Sequence, residues 1–281
     1  MHLPRPAFDE LRRLIHGLCG VMLSEDKAYL IRHRLEPVVR DHGLAGFEEL
    51  ARRLRGPGGT ALHDAVVEAI TTGETSFFRD GHPFEAFRRH VLSDLAARRA
   101  RPRLWCAAAA TGQEPYSVAM LVYDFVEASR GRGAGQPAFS ILATDVSPRA
   151  LAAARKGEYT RQELARGLTD AQVARYFERR GPNWVVRGPV RQLVEFRRAN
   201  LVQPFAALGP FDAIFCRNVL IYFDEYTRRR VCGQLHAALA EDGWLILGSA
   251  ENLYGMGDGF ESMHFGDTLL YRRKDAVSPG S

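Results

Sequence analysis

"PRLWCAAAATGQEPYSVAM" occupies residues 102–120 and holds, in order, a strand, a tight turn and the start of a helix. The run "PRLWCAA" has the character of a buried strand, and from Gln113 a stretch rich in Tyr, Val, Met and Leu reads as a helix to residue 129. A tight strand-to-helix turn lies between them. In dinucleotide-binding sheets that turn carries several glycines, which bring the backbone close to a pyrophosphate. Here alanines fill it, Gly112 is its one glycine, and neither the GxGxxG nor the GxxxxGK[ST] spacing is present. Such a turn admits a ligand near its backbone but is not built to cradle phosphates.

Working outward, strands and helices alternate from residue 102 onward. "FSILATD" is a second buried strand, and "SPRALAAARKG" a short helix capped by Ser147 with Pro148 at its first position. "LVEFRRANL", "FDAIFCRN" and "GWLILGSAE" are further strands, with a helix over 225–240 before the last, and "FESMHFGDTLLYRR" closes as an antiparallel hairpin. This alternation predicts an α/β fold, a mostly parallel sheet wrapped by helices. Residues 157–192 break the rhythm. Ligands of such sheets lie outside the carboxyl ends of the strands, so the residues at strand tips are the site candidates.

Upstream, residues 7–70 read as a small helical bundle. "FDELRRLIHGLCG" places Phe8, Leu11, Leu14, Ile15 and Leu18 at helical spacing and stops at Gly20. Ser24 is expected to cap the next helix, with Glu25 and Asp26 in its first turn. That helix buries Leu30, Ile31, Leu35 and Val38, is expected to kink at Pro37, and carries Tyr29, Arg32, His33, Glu36 and Arg40 on its outer side. Shorter helices over 46–55 and 61–70 follow, separated by "GPGG". The expected organisation is a helical domain over 1–70, a linker and first helix over 71–101, and a sheet domain over 102–275 with an insertion near 157–192.

Composition narrows the function. With 46% hydrophobic and 25% charged residues the chain is an ordinary soluble protein, and no apolar run approaches a membrane span. The net charge is +5, yet residues 1–80 hold 11 basic and 12 acidic side chains, a balance of −1. There is no basic field for nucleic acid in the helical part. Cys19, Cys106, Cys216 and Cys232 form no CxxC pair, which argues against zinc and a disulfide framework and for a reducing cytoplasm.

Asp145 ends the second strand, where an acid accepts hydrogen bonds from both hydroxyls of a ribose or, alternatively, caps the helix that follows. A nucleoside without phosphates fits both the alanine turn and this acid, and S-adenosylmethionine is such a ligand. Glu114, at a helix start, is either a dipole-matched surface residue or a partner for the ligand's cationic groups. Asn200 and Leu201 end the third strand as a polar and apolar pair suited to an adenine edge and face. Arg217 and Asn218 end the fourth, with Tyr222 four residues on. Before the sheet, "ITTGETSFFRDGHPF" is too aromatic for a plain linker and is expected to pack over the sheet edge and contribute to the site.

Taken together, "TTGETSFFRD", "WCAAAATGQEPYSVAM", "ILATDVS", "RANL" and "FDAIFCRNVLIYFD" resemble, in order and spacing, the chemotaxis receptor methyltransferases of the CheR family. The resemblance covers nearly the whole chain, helical domain included. It implies a Rossmann-like S-adenosylmethionine-dependent fold and transfer of methyl groups to receptor glutamates, with S-adenosylhomocysteine as the product. It implies that Thr75, Arg79, Glu114, Asp145, Asn200, Leu201, Arg217 and Asn218 line the cofactor, with Arg79 and Tyr222 nearest the reacting carboxylate. The alanine turn, from Ala107, approaches the uncharged methionine backbone. Two positions depart from the family's pattern: Gly73 stands where it has Asn, and Gln113 where it has Glu. The insertion resembles the family's receptor-touching β-subdomain, and its short "RRGPNWVVRGP" loop implies an enzyme independent of a receptor tether peptide.

A glutamate of pKa about 4.3 is ionised near neutrality, so its methylation needs no general base. The reaction destroys charge, so a cation gripping the nucleophile would stabilise the ground state more than the transition state. Rate then comes from alignment and exclusion of water. The implied partner is the acidic helical cytoplasmic domain of a chemoreceptor, met by a monomeric cytoplasmic enzyme through Arg32 and Arg40. Competing readings are a non-catalytic cofactor- or receptor-binding scaffold, and a methyltransferase for another protein or a small molecule.

Overall fold

The computed structural model describes residues 1–56, 59–130 and 137–274. Pro57 and Gly58, of the expected separator, and residue 275, the expected end of the sheet domain, lie outside the described residues. In chain order the strands are β1 (Arg103–Ala107), β2 (Ser140–Asp145), β3 (Glu158–Tyr159), β4 (Phe177–Arg180), β5 (Asn183–Val186), β6 (Val194–Arg198), β7 (Phe211–Cys216), β8 (Leu239–Leu247), β9 (Phe260–Phe265) and β10 (Thr268–Arg273). Seven of them form one sheet in the order β6-β2-β1-β7-β8-β10-β9. The pairs from β6 through β8 are parallel, and β10 runs antiparallel to both β8 and β9.

The central strands β1 and β7 are buried along nearly their whole length because both faces are covered. Leu104 and Cys106 of β1, with Ala213 and Phe215 of β7, join one core cluster, while Trp105, Ala107, Ile214 and Cys216 join the other. Helices α1 (Arg5–Cys19), α2 (Ala28–Asp41), α3 (Phe47–Arg55), α4 (Thr60–Ile70), α5 (His82–Ala86) and α6 (Leu92–Arg98) precede the sheet, and α7 (Gln113–Ser129) and α8 (Pro148–Lys156) follow β1 and β2. Ser147 caps α8 by accepting from the Ala150 amide, and Gly157 ends it at φ 60°. A helix over Glu225–Ala238 precedes β8, two residues shorter than the pattern predicts.

The N-terminal bundle has a core of its own, built from helices Arg5–Cys19, Ala28–Asp41, Phe47–Arg55 and Thr60–Ile70. Gly20 closes the first at φ 76°, and a Cβ there would stand 2.4 Å from Val202 Cγ1. Glycine is therefore needed both to end the helix and to let the bundle seat on the sheet domain. Two local expectations are corrected. Ser24 heads a 3-10 turn over Glu25–Lys27 and makes no side-chain cap, so the second helix begins only at Ala28. That helix runs through Pro37 to Asp41 and buries Ile31, Leu35, Val38 and Val39, whereas Leu30, expected in the core, is only half-buried.

The interruption contains a three-stranded antiparallel sheet, β3-β5-β4, and helices Arg161–Ala165 and Asp170–Tyr176, each opened by a capping box. Phe77 pins it to the connecting segment by edge-on contacts with Tyr159 at 5.0 Å and Phe177 at 5.6 Å. Among the described residues no helix is long and apolar enough to cross a membrane.

Candidate active site

The alanine turn is tighter than its sequence suggests. Ala108 and Ala110 both hold positive φ, 58° and 47°, and Gly112 follows at 97°. For an alanine that conformation costs roughly 1–2 kcal/mol, so the turn must be held from outside. The Ala109 amide donates to the Thr144 carbonyl at 2.9 Å, the Ala110 amide to Asp145 Oδ2 at 2.8 Å, and Tyr159 Oη to the Thr111 carbonyl at 2.9 Å. A Cβ on Gly112 would meet Tyr159 Oη at 2.9 Å, which is why this one position is glycine.

Asp145 also accepts from the Ser147 amide at 2.9 Å, one backbone donor per oxygen. Burial pushes its carboxyl upward, and the amides of Ser147, Ala110 and Val146 oppose that shift. A carboxylate has about four acceptor sites, so roughly two remain for a ligand. Asp145 thus fixes the turn, while Ser147 supplies the helix cap.

Arg217, at the tip of β7, is only 5% exposed. Its Nη1 donates to Glu114 Oε2 at 3.1 Å, and its Nη2 to the Arg79 carbonyl at 2.7 Å and Asp80 Oδ2 at 2.9 Å. Its guanidinium lies over the Phe84 ring at 4.9 Å. Only the Nε, buried, lacks a partner. Glu114 is likewise no surface residue: burial raises its carboxyl pKa, and the charge and hydrogen bond of Arg217 pull it back. This ion pair holds the start of α7 against the Phe78 to Asp80 turn, where both Phe78 and Asp80 have positive φ.

These groups face one cleft of about 480 Å³, a size that suits a nucleoside-containing ligand. Of the residues expected from sequence, Gly73, Thr75, Arg79, Glu114, Asp145, Asn200, Leu201, Arg217, Asn218 and Tyr222 all line it. Ala107 does not. It is fully buried inside β1, paired with Thr144 and Cys216, and Ala108 and Ala110 take its place at the wall. Asn200 is more engaged than expected: its Nδ2 donates to the Leu18 carbonyl at 2.7 Å and its Oδ1 accepts from the Val202 amide. A Cβ on Gly73 would meet nothing within 4 Å, so the glycine is not demanded by sterics. Arg79 is half-buried and donates only to the Glu74 carbonyl, at 3.1 Å. Arg32 and Arg40 lie outside the cleft, exposed on the second helix with Tyr29 and His33.

The sequence reading missed three residues. Glu68, from the helical domain, lines the cleft and accepts from Ser147 Oγ and the Arg149 amide. With Cys19, Val21 and Ile70 it makes the bundle a wall of the site. Arg34 turns inward to the Ile70 carbonyl and Thr72 Oγ1, tying the second helix to the segment that lines the cleft. Glu251, beyond β8, gathers backbone amides beneath Asn218. Of these, only Glu251 carried a sequence signal, an acid at a strand tip.

A Rossmann-like sheet with an acid at the second strand tip, a turn without the phosphate-binding glycines and a helical wall defines a cleft suited to a nucleoside-bearing cofactor. Residues 73–268 match the CheR methyltransferase SAM-binding domain, and residues 6–71 the CheR methyltransferase all-alpha domain. The chain therefore belongs to the CheR methyltransferase family and is an S-adenosylmethionine-dependent methyltransferase. It is 36% identical over 273 residues to a chemotaxis protein methyltransferase of Pseudomonas putida, covering 95% of this chain and 98% of that one. It is 37% identical over 270 residues to chemotaxis protein methyltransferase 1 of Pseudomonas aeruginosa, covering 95% and 97%. The chemotaxis protein methyltransferase of Escherichia coli is 36% identical over 251 residues, covering 87% and 84%.

Proposed function

We propose that this chain, a cytoplasmic monomer, methylates glutamate side chains on the acidic helical cytoplasmic domain of a chemoreceptor-type protein in chemosensory adaptation. The observation that carries the reading is the shared wall: the helical bundle closes the cleft through Cys19, Val21, Glu68 and Ile70, and its second helix shows Tyr29, Arg32, His33 and Arg40 to solvent. A small molecule held in the cleft would not reach that outer face, whereas a protein substrate would.

Bound S-adenosylmethionine supplies an electrophilic methyl group on a sulfonium. The residues present fit it. Asp145 offers its remaining acceptor sites to the ribose hydroxyls, and Leu201 an apolar face to the adenine beside the second lone pair of Asn200 Oδ1. Thr75 and Gly73 stand over the cleft from the connecting segment, and the amides and small side chains of the alanine turn let the amino-acid end approach. Glu114 faces the ligand's cationic end. Arg217 acts through others, holding Glu114 and the Arg79 carbonyl in place. Arg79 holds the cofactor's carboxylate or steers the incoming glutamate, and Tyr222 lies nearest the reacting group. Among the described residues no histidine lines the cleft, which suits a nucleophile that arrives ionised.

The β4 to β5 connection is a two-residue turn at Gly181 and Pro182, between the paired Arg180 and Asn183. So short a loop offers little surface to a peptide, which supports an enzyme that needs no receptor tether.

Docking is tested by reversing Arg32 and Arg40 to Glu. Both lie on the exposed face, where Arg40 meets only Asp41 and Glu36 is paired with the N-terminal amine. The apparent KM for receptor should rise roughly 10-fold at low salt, two reversed contacts of about 0.5–1 kcal/mol each. The increase should shrink as salt shortens screening to about 8–10 Å, with cofactor affinity unchanged. Parental kinetics at low salt would move docking to the 157–192 subdomain.

A further inference from the structure

The carboxylate of Glu251 is enclosed by backbone amides from the tips of β7 and β8. Its Oε1 accepts from Val219 at 2.9 Å, Leu220 at 2.8 Å and, more weakly, Ile221 at 3.4 Å; its Oε2 accepts from Asn218 at 2.6 Å and Gly248 at 2.9 Å. Four of these donors are consecutive, residues 218–221. They lead into the 3-10 turn Leu220–Tyr222, whose first amides have no partner within the turn itself. Consecutive amides aimed at one point form an anion-binding nest, and here the chain supplies its own anion.

The consequence falls on the cleft. Asn218 adopts φ 56°, a left-handed conformation uncommon for non-glycine residues that asparagine enters more readily than most. Asn218, Val219 and Tyr222 all line the cleft, so the turn that Glu251 organises presents one of its walls. Tyr222 sits one turn on, its amide donating to the Val219 carbonyl at 3.2 Å. The approach is tight: a Cβ on Gly248 would stand 2.8 Å from both Asn218 Nδ2 and Glu251 Oε2, so only glycine lets the strand end pass. The Glu251 segment is itself fixed, because His82 bridges Ser249 Oγ and Thr268 Oγ1 at 2.9 Å each.

We infer that Glu251 is a positioning residue for methyl transfer, acting through the 218–222 turn to aim Tyr222 and Asn218 into the cleft. The inference rests on the proposed placing of Tyr222 beside the reacting carboxylate. A glutamine at 251 cannot substitute. Whichever way its amide turns, the NH₂ end confronts at least two backbone donors where an acceptor stood, Asn218 and Gly248 on one side or Val219 and Leu220 on the other. The turn must then relax, and a displacement of about 1 Å near a reacting group can lower the rate about 100-fold.

The test is a double-mutant cycle on kcat, with tritiated S-adenosylmethionine and a chemoreceptor cytoplasmic fragment that the parent enzyme methylates. Glu251→Gln should lower kcat about 100-fold, Glu251→Asp less, because the carboxylate is kept. Tyr222→Phe should lower kcat in the parent but by less than about 2-fold on top of Glu251→Gln, since a residue already misaimed has little left to lose. A cap that served only stability would instead let the two losses multiply, and that result, or a parental kcat for Glu251→Gln, overturns the inference. If Glu251→Gln does not fold, the same cycle is read with Glu251→Asp. A silent Tyr222→Phe removes the placing of Tyr222 and the inference with it, whereas multiplied losses count against Glu251 alone.

Discussion

Arg217→Ala is expected to destabilise the protein by about 3–5 kcal/mol, the usual penalty for removing one partner of a buried ion pair, and to leave no measurable methylation. The guanidinium side chain is 1% exposed and its Glu114 partner 12%. Without the arginine, Glu114 keeps its burial and loses the charge that offsets it. The Arg79 carbonyl and Asp80 lose a donor in the same step, and Phe84 loses the cation on its face. Lysine should rescue little, because a single ammonium cannot span three acceptors that a planar fork reaches together. Thermal unfolding and calorimetric binding of S-adenosylhomocysteine check this. A variant that melts with the parent would mean that the cleft is held by something other than this ion pair.

Arg79→Ala should do the reverse, losing activity while the fold survives. Arg79 gives its neighbours one hydrogen bond, to the Glu74 carbonyl, at a half-buried position. The loss to folding should be roughly 0.5–1.5 kcal/mol, one ordinary hydrogen bond. Its free donors face the cleft, where a charge-assisted hydrogen bond to a carboxylate is worth about 1.5–3 kcal/mol, so kcat/KM should fall about 10- to 100-fold. Turnover and melting temperature measured on one preparation decide it. Activity that falls only as far as the folded fraction would take Arg79 out of the reaction.

The contrast between these two arginines shows where the sequence could be read and where it could not. Strand and helix alternation, the capped start of α8 and the final hairpin are local signals, written in side-chain period and turn chemistry, and the structure follows them. The strand tips were legible for the same reason: Asp145, Asn200 and Asn218 sit where a parallel sheet opens. What each tip residue does there was less legible. Arg217 finds Glu114 and Asp80 across separations of 103 and 137 residues, and no window of sequence contains that pairing. Glu251 was legible as an acid near a strand tip, but its partners are backbone amides, which no side-chain pattern reveals. Glu68 reaches the cleft only because the helical bundle docks on the start of α8, and a helix pattern does not say what its polar side will meet. Ala107 shows the opposite limit: the turn was located correctly, but a shift of one residue separates a buried strand position from a wall of the site.

The central claim is that the chain forms glutamate methyl esters on a receptor. The most direct measurement incubates it with tritiated S-adenosylmethionine and a chemoreceptor cytoplasmic fragment, isolates the receptor, and treats it with base. Carboxylic esters hydrolyse there and release their label as volatile methanol, while methyl groups on nitrogen stay bound. The expected result is label on the receptor that passes almost entirely into the volatile fraction and is at least about 10-fold weaker with Arg79→Ala. Label that resists base, or a receptor left unlabelled by a protein that binds the cofactor, would contradict it.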